Sequence, residues 1–265
     1  MREIADMRIS FIGAGRVAHH LASALKSQHQ IVQIYSRTWE KTQQFAAQVA
    51  AQPCRSLTAL NSDIDLLILA VSDQSIATII AEVAPLLPNV LIVHTSGSTD
   101  LQRLQQHHPR SGVFYPLQTF SLEREIDWKQ TPLFVEAAVE EDQQCLLQLA
   151  QQLSDRVYAY SSQQRLSLHL AAVFACNFAN SCYDMSKQIV DQTQVDFSLL
   201  YPLILETAAK ATQNDPKTMQ TGPAVRGDVN ILQMHQSILT DLQRPDLAEV
   251  YALMSQQIMQ RHQAE

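Results

Sequence analysis

The chain is poor in cysteine. Four occur in 265 residues, Cys54, Cys145, Cys176 and Cys182, with no Cys-x-x-Cys spacing among them. No disulfide framework is expected, and reduced thiols in a cytoplasmic protein are the reading that follows. Positive charge is not in excess either: the net charge is −7, which disfavours nonspecific binding to nucleic acid or an anionic membrane. No apolar run is long enough to span a bilayer, and the first residues, acidic at Glu3 and Asp6, lack the apolar core of a secretory leader. Internal repeats and low-complexity tracts are absent. The histidines are scattered or paired as surface-like neighbours (His19-His20, His107-His108), so no zinc set and no bound metal is expected. A Gly-x-Ser-x-Gly nucleophile turn is missing. What remains is a chain that is 46% hydrophobic, which excludes disorder, and long enough for two domains.

Residues 9–18 are the most informative stretch. An apolar strand, Ile9–Ile12, runs into Gly13-Ala14-Gly15-Arg16-Val17-Ala18, and a helical segment follows to Leu25. Gly13 permits the tight turn and Gly15 lets the backbone approach a pyrophosphate. Ala18 lets the helix pack close to the strand, and the first-turn amides of Ala14, Arg16 and Val17 face the phosphates. The spacing therefore predicts a dinucleotide site.

The second strand, Ile31–Tyr35, ends in Ser36-Arg37-Thr38. An NAD-preferring site usually carries Asp or Glu there, to bind the ribose hydroxyls. Here no carboxylate repels a 2′-phosphate, and Arg37 offers a planar cationic fork to hold one. NADP is the expected cofactor.

Apolar strands and helical segments alternate from residue 8 to about 160. Asp65–Val71 reads as a strand covered on both faces, followed by a helix to Ala84 that Pro85 and Pro88 terminate. Val90–Val93 is the next strand, and Asp100 caps a helix reaching His107. Further strands are expected at 113–115, 133–135 and 156–160, with a helix at 141–152. This is an α/β doubly wound, mostly parallel sheet, with ligands outside the carboxyl ends of its strands. Near Ser161 the pattern changes. Gln163–Val190 has no proline or glycine and predicts one long helix. Helices at 197–212, 229–239 and 246–261 follow, with a loop at 216–228. The expected domains are 1–161 and 162–265.

Five segments carry candidate site residues. The loop at His94-Thr95-Ser96-Gly97 follows a strand at its carboxyl end, where His94 and Ser96 could orient a carbonyl or imine or deliver a proton; its hydroxyls could equally cap a helix. Val71-Ser72 occupies the analogous loop one unit earlier and is expected to pass over the cofactor. Tyr115, at the end of another strand, could reach the same cleft. On the long helix, His169, Asn177, Asn180 and Asp184 fall within an arc of about 80° at about 100° per residue. A substrate, the nicotinamide amide or an internal hydrogen-bond network could satisfy these groups. Arg226, in Gly222-Pro223-Ala224-Val225-Arg226-Gly227-Asp228, could sit over an anionic substrate or pair with Asp228.

The glycine turn, Ser36-Arg37, the His-Thr-Ser-Gly loop, Phe114–Phe120, the His169–Asn180 helix and the 222–228 segment together resemble a bacterial family of NADP oxidoreductases. Its members pair a Rossmann-like domain with a helical domain of unknown function. More distantly the chain resembles pyrroline-5-carboxylate reductase, the 6-phosphogluconate and 3-hydroxyacid dehydrogenases, and ketopantoate reductase. The resemblance implies a Rossmann-type domain, an all-helical C-terminal domain and dimerisation through the latter. It carries over Gly13, Gly15, Ala18, Ser36 and Arg37 as cofactor residues. The hydroxyacid enzymes' catalytic lysine has no counterpart: that stretch offers His169 and Asn177, and its lysine, Lys187, lies far along the helix.

The expectation is a cytoplasmic, homodimeric enzyme moving hydride between NADP and a small carbonyl, imine or hydroxy compound. His94, Ser96, Tyr115, His169 and Asn177 are its catalytic candidates, and Asn180 and Arg226 its substrate contacts. A non-catalytic NADP-binding sensor or scaffold, and a reductase using a deazaflavin, are the alternatives.

Overall fold

The structure, a computed structural model, describes residues 6–263. The chain forms two compact units, Met1–Cys176 and Asn177–Glu265.

The first unit is built on strands β1 (Arg8–Ile12), β2 (Gln30–Tyr35), β3 (Gln52–Cys54), β4 (Leu66–Leu69), β5 (Leu91–His94), β6 (Ser111–Pro116), β7 (Leu133–Ala137) and β8 (Val157–Ala159). Between them run α1 (Arg16–Leu25), α2 (Trp39–Gln48), α3 (Asp73–Val83), the short α4 (Gln102–Gln105) and α5 (Glu140–Leu153). The strand order is β3-β2-β1-β4-β5-β6-β7-β8, so the direction of winding reverses between β1 and β4, where such sheets bind ligands. Every residue of β4 and β5 is buried, as expected of strands covered on both faces. Each such Leu or Ile contributes about 1.5–3 kcal/mol by leaving water. Helix α1 buries Ala18, Leu21, Ala22 and Leu25, the helical spacing of one apolar face.

Two elements of this unit depart from the expectation, and one strand supplies the antiparallel pairing of a mostly parallel sheet. Strand β3 contains Pro53, which masks it in the sequence; as an edge strand it tolerates the missing donor. The helix expected up to His107 is one turn, although Asp100 Oδ1 does accept Gln102 N–H at 2.8 Å. Strand β7 runs antiparallel to β6. No helix intervenes between them to carry the chain back across the sheet, and a parallel pairing needs such a crossover.

Ser161, where the composition changes, caps α6 (Ser162–Ala172) in a reciprocal capping box with Gln164. The expected unbroken helix is interrupted: α6 gives way to a π-helical turn, Val173–Phe178, before α7 (Ala179–Asp191). A π turn accommodates extra chain without proline or glycine, so residue composition does not reveal it. The expected 80° arc assumed an uninterrupted helix and does not carry through this turn.

The second unit contains α7, α8 (Tyr201–Gln213), α9 (Pro223–Arg226), α10 (Val229–Asp241) and α11 (Pro245–Gln263). Helix α9 lies inside the segment expected to be loop. Pro223 starts it, and Gly227 at φ +65° ends it, a position glycine adopts without steric cost. Helices α10 and α11 are tied by His235 Nδ1 and Tyr251 Oη at 2.9 Å. Among the described residues, no helix is long and apolar enough to cross a membrane.

Candidate active site

A cleft of about 980 Å³ runs along the carboxyl ends of β2, β1, β4, β5 and β6. All residues lining it belong to the first unit. Its floor is the glycine turn. Gly13 has φ +117°, and a Cβ there would lie 2.1 Å from the Ala70 carbonyl oxygen. The chain can cross β4 at this point only without a side chain. At Gly15 a Cβ would meet no protein atom within 4 Å, so its backbone is open toward the cleft. Ala14, Gly15, Arg16 and Val17 all line it. Ala18 is fully buried against the sheet.

At one end, Ser36, Arg37, Thr38 and Lys41 line the cleft. The Ser36 hydroxyl is occupied by Thr42 Oγ1 at 2.7 Å and the Thr38 carbonyl at 3.1 Å, which fixes the turn. Arg37 and Lys41 are exposed cations. Lys41 was not among the expected site residues, although a cation four positions after Arg37, at the start of a helix, was a readable signal. Two cations and no carboxylate among these four residues suit a phosphate at the ribose 2′ position. Val71 and Ser72 line the middle of the cleft.

The other end is partly buried. Tyr115 Oη and His169 Nδ1 are 3.1 Å apart, with their rings edge to face. Burial pushes the Tyr115 hydroxyl up to about 12, with Arg165 opposing the rise and Asp73 adding to it. Tyr115 therefore keeps its proton throughout the physiological range. Gly97 packs against the pair: a Cβ on it would fall 2.6 Å from His169 Nδ1 and 2.7 Å from Tyr115 Cζ. Ser96 lines the cleft, but its Oγ accepts the Ser98 and Thr99 N–H groups at 3.1 and 2.9 Å. It orders the loop. Ser98 in turn donates to Asp73.

His94 is fully buried and does not line the cleft. Its Nδ1 accepts the Ser96 N–H at 3.1 Å. Burial pulls the imidazole down to about 3, with Arg165's charge adding to the shift. A neutral ring of that kind cannot deliver a proton as imidazolium, and it supports the loop from below. Asn177, Asn180 and Arg226 belong to the second unit and are exposed. Both amides are therefore open to solvent in the single chain. Asp228, the expected partner of Arg226, instead caps α10 by accepting the Ile231 N–H at 3.3 Å.

Sequence reasoning also missed Arg165, Glu136 and Ser162. Arg165 is 1% exposed and pairs with Glu136 at 2.6 Å. Nothing local marks it, because Glu136 lies on β7, far away in sequence.

A cleft over a glycine turn at the switch point of a mostly parallel sheet is the arrangement of a Rossmann-type nucleotide-binding protein. Residues 8–97 match the family described as NADP oxidoreductase, coenzyme F420-dependent. Residues 131–258 match a domain of unknown function, DUF2520. The structure is similar to that of a Bacteroides fragilis protein assigned as an NADP oxidoreductase, at 41% identity and a TM-score of 0.90, over 96% of this chain and 98% of that one. The chain belongs to this family of NADP oxidoreductases. Two more distant structures share the fold. One is a reductive aminase of Aspergillus terreus in complex with NADPH and ethyl levulinate (14% identity, TM-score 0.74, 96% and 93% coverage). The other is a pyrroline-5-carboxylate reductase of Coxiella burnetii (15% identity, TM-score 0.55, 97% of each chain). No curated protein matches the sequence.

Proposed function

We propose that this oxidoreductase reduces a small carbonyl or imine compound with NADPH, and that the Tyr115–His169 pair serves the reacting group. The observation that carries this reading is the 3.1 Å contact between Tyr115 Oη and His169 Nδ1 at the partly buried end of the cleft. The glycine turn, with Gly15 open to the cleft, suits the pyrophosphate, and Arg37 and Lys41 suit the 2′-phosphate. When bound, the cofactor supplies hydride; the protein supplies binding, orientation and the proton. Tyr115, held protonated by burial, donates a hydrogen bond to the acceptor oxygen or nitrogen. His169, hydrogen-bonded to it, replenishes or relays the proton. Ser96 and Val71-Ser72 shape the wall, and His94 supports it. Asn177, Asn180 and Arg226 remain substrate-contact candidates of the helical unit, and alanine variants in the same assay decide them. The protein acts in the cytoplasm as a homodimer, without nucleic acid or membrane as partner.

The test is a panel of small ketones, imines and a deazaflavin, followed by nicotinamide oxidation. Tyr115→Phe and His169→Ala should each lower turnover by about 10²–10⁴-fold and leave NADPH affinity within about threefold. Turnover unaffected by both would end the reading. The similarity of residues 8–97 to a coenzyme F420-dependent family favours the deazaflavin arm as the second reading. NADPH binding with no turnover in any arm would mark a sensor.

A further inference from the structure

Arg165 is a cation buried almost completely at the start of α6. Taking such a charge out of water costs several kcal/mol even when it is paired, and a well-packed apolar residue often serves stability better. What the guanidinium holds is therefore informative. Nη1 donates to Glu136 Oε2 on β7 at 2.6 Å. Nη2 donates to Ser162 Oγ at 3.1 Å and to the backbone carbonyl of Thr99. Ser162 Oγ donates to Glu136 Oε2 at 2.7 Å and accepts the Leu101 N–H at 3.0 Å. Two backbone groups, at Thr99 and Leu101, are thus tied to a cluster shared by β7 and α6.

Those two groups lie at the exit of the loop that follows β5. Its entrance is tied separately: Thr95 N–H donates to the Leu69 carbonyl at 3.2 Å, and Ser96 N–H to His94 Nδ1. Gly97 sits between the two anchors, against Tyr115 and His169 with no room for a methyl group. His169 is four residues after Arg165 on the same helix, on the same face one turn along. One turn of α6 therefore fixes both the loop and the imidazole it touches. The charge of Arg165 also reaches Tyr115 and His94.

We propose that Arg165, through its fork to Glu136 and the Thr99 carbonyl, is a positioning residue that seats Gly97 against the Tyr115–His169 pair and so sets the geometry of that pair. This rests on the reading that the pair serves the reacting group, but its test needs no substrate.

Imidazole ¹⁵N spectra of the full-length protein, with and without NADPH, report the Tyr115–His169 contact. The His169 signal is identified by its loss in His169→Gln, and the broken contact by its position in Tyr115→Phe. Arg165→Met/Glu136→Gln removes both charges together and leaves neither buried alone. The expected result is a folded protein that binds NADPH within about threefold of wild type, with the His169 signal moved to its Tyr115→Phe position. Arg165→Lys keeps the charge but not the fork; it should melt near wild type and show the same displacement, and it decides the matter if the double variant does not fold. A wild-type His169 signal in a folded variant would overturn the proposal. So would NADPH affinity falling in step with the signal, which would mark general support of the domain. Failure of the reductase reading appears elsewhere, as turnover indifferent to both Tyr115→Phe and His169→Ala.

Discussion

In the sheet unit, β4 and β5 bury every side chain, and the core extends through helices on both faces. The helical unit is the reverse. Among the described residues its buried hydrophobics are Ala224, Leu239 and Leu247, while Leu199, Leu203 and Leu205 are 71%, 63% and 70% exposed in the single chain. Both units use Leu, Ile and Val at regular periods, so apolar content does not separate them. The difference is in what covers it. A sheet layered by helices closes its own core, whereas a thin set of helices leaves apolar stripes that a second copy can cover. That contrast is the physical basis of the proposed homodimer.

Replacing both Leu203 and Leu205 by Glu should break the contrast most severely. Light scattering should fall from about twice the 29.7 kDa chain mass to the chain mass, with NADPH binding retained. A wild-type protein that already runs as a monomer at micromolar concentration would refute the dimer. Next in size is acid sensitivity confined to the sheet unit. The His94 imidazole is held near 3 in the fold against an ordinary 6.5, so the unfolded chain binds the extra proton between those values. The stability His94 gives is complete above about pH 6.5 and is lost as pH falls toward 3, by ~3–5 kcal/mol in all. Denaturant titrations across that range should show this slope, and His94→Gln should flatten it. Ile68→Ala, at a fully buried position in β4, should cost about 2–5 kcal/mol in the same measurement. Leu205→Ala should approach that cost only at protein concentrations where the dimer forms. Arg37→Glu acts on one end of the cleft. It should weaken NADPH binding by about 10–100-fold, the worth of a charge-assisted contact, and leave NADH within about threefold. The smallest effect belongs to a helix end: Asp228→Ala removes the cap of α10 and should cost about 1 kcal/mol.

The glycine-turn half of the cleft was legible because its residues are local. Gly13, Gly15, Ser36 and Arg37 lie within two strand–turn–helix segments, and a turn that must approach a phosphate constrains the residues beside it. The strands and helices of the sheet followed from alternation, apart from β3, hidden by Pro53, and the short α4. The other half was not legible in the same way. Tyr115 and His169 could be singled out, but their contact joins β6 to α6 across 54 positions. His94 looked as available as Ser96, since burial is a property of the assembled sheet. Arg165 meant nothing without Glu136. The π turn escaped because no residue type requires it.

The reversal of β7 has one more consequence. Because β6 and β7 run in opposite directions, the chain between them, residues 117–132, leaves and re-enters the sheet at the edge where the cleft opens. Gln118 and Phe120 line the cleft for that reason, and His20 on α1 meets the Ser121 carbonyl at 2.8 Å. Doubling the length of such a hairpin connection costs only about 0.6 kcal/mol in closure entropy. This is the point at which the molecule can lengthen, shorten or recompose its rim while the sheet, the glycine turn and the Tyr–His contact stay as they are. Divergence in what related enzymes admit to the cleft should concentrate there, written as insertions and deletions rather than as exchanges of buried residues.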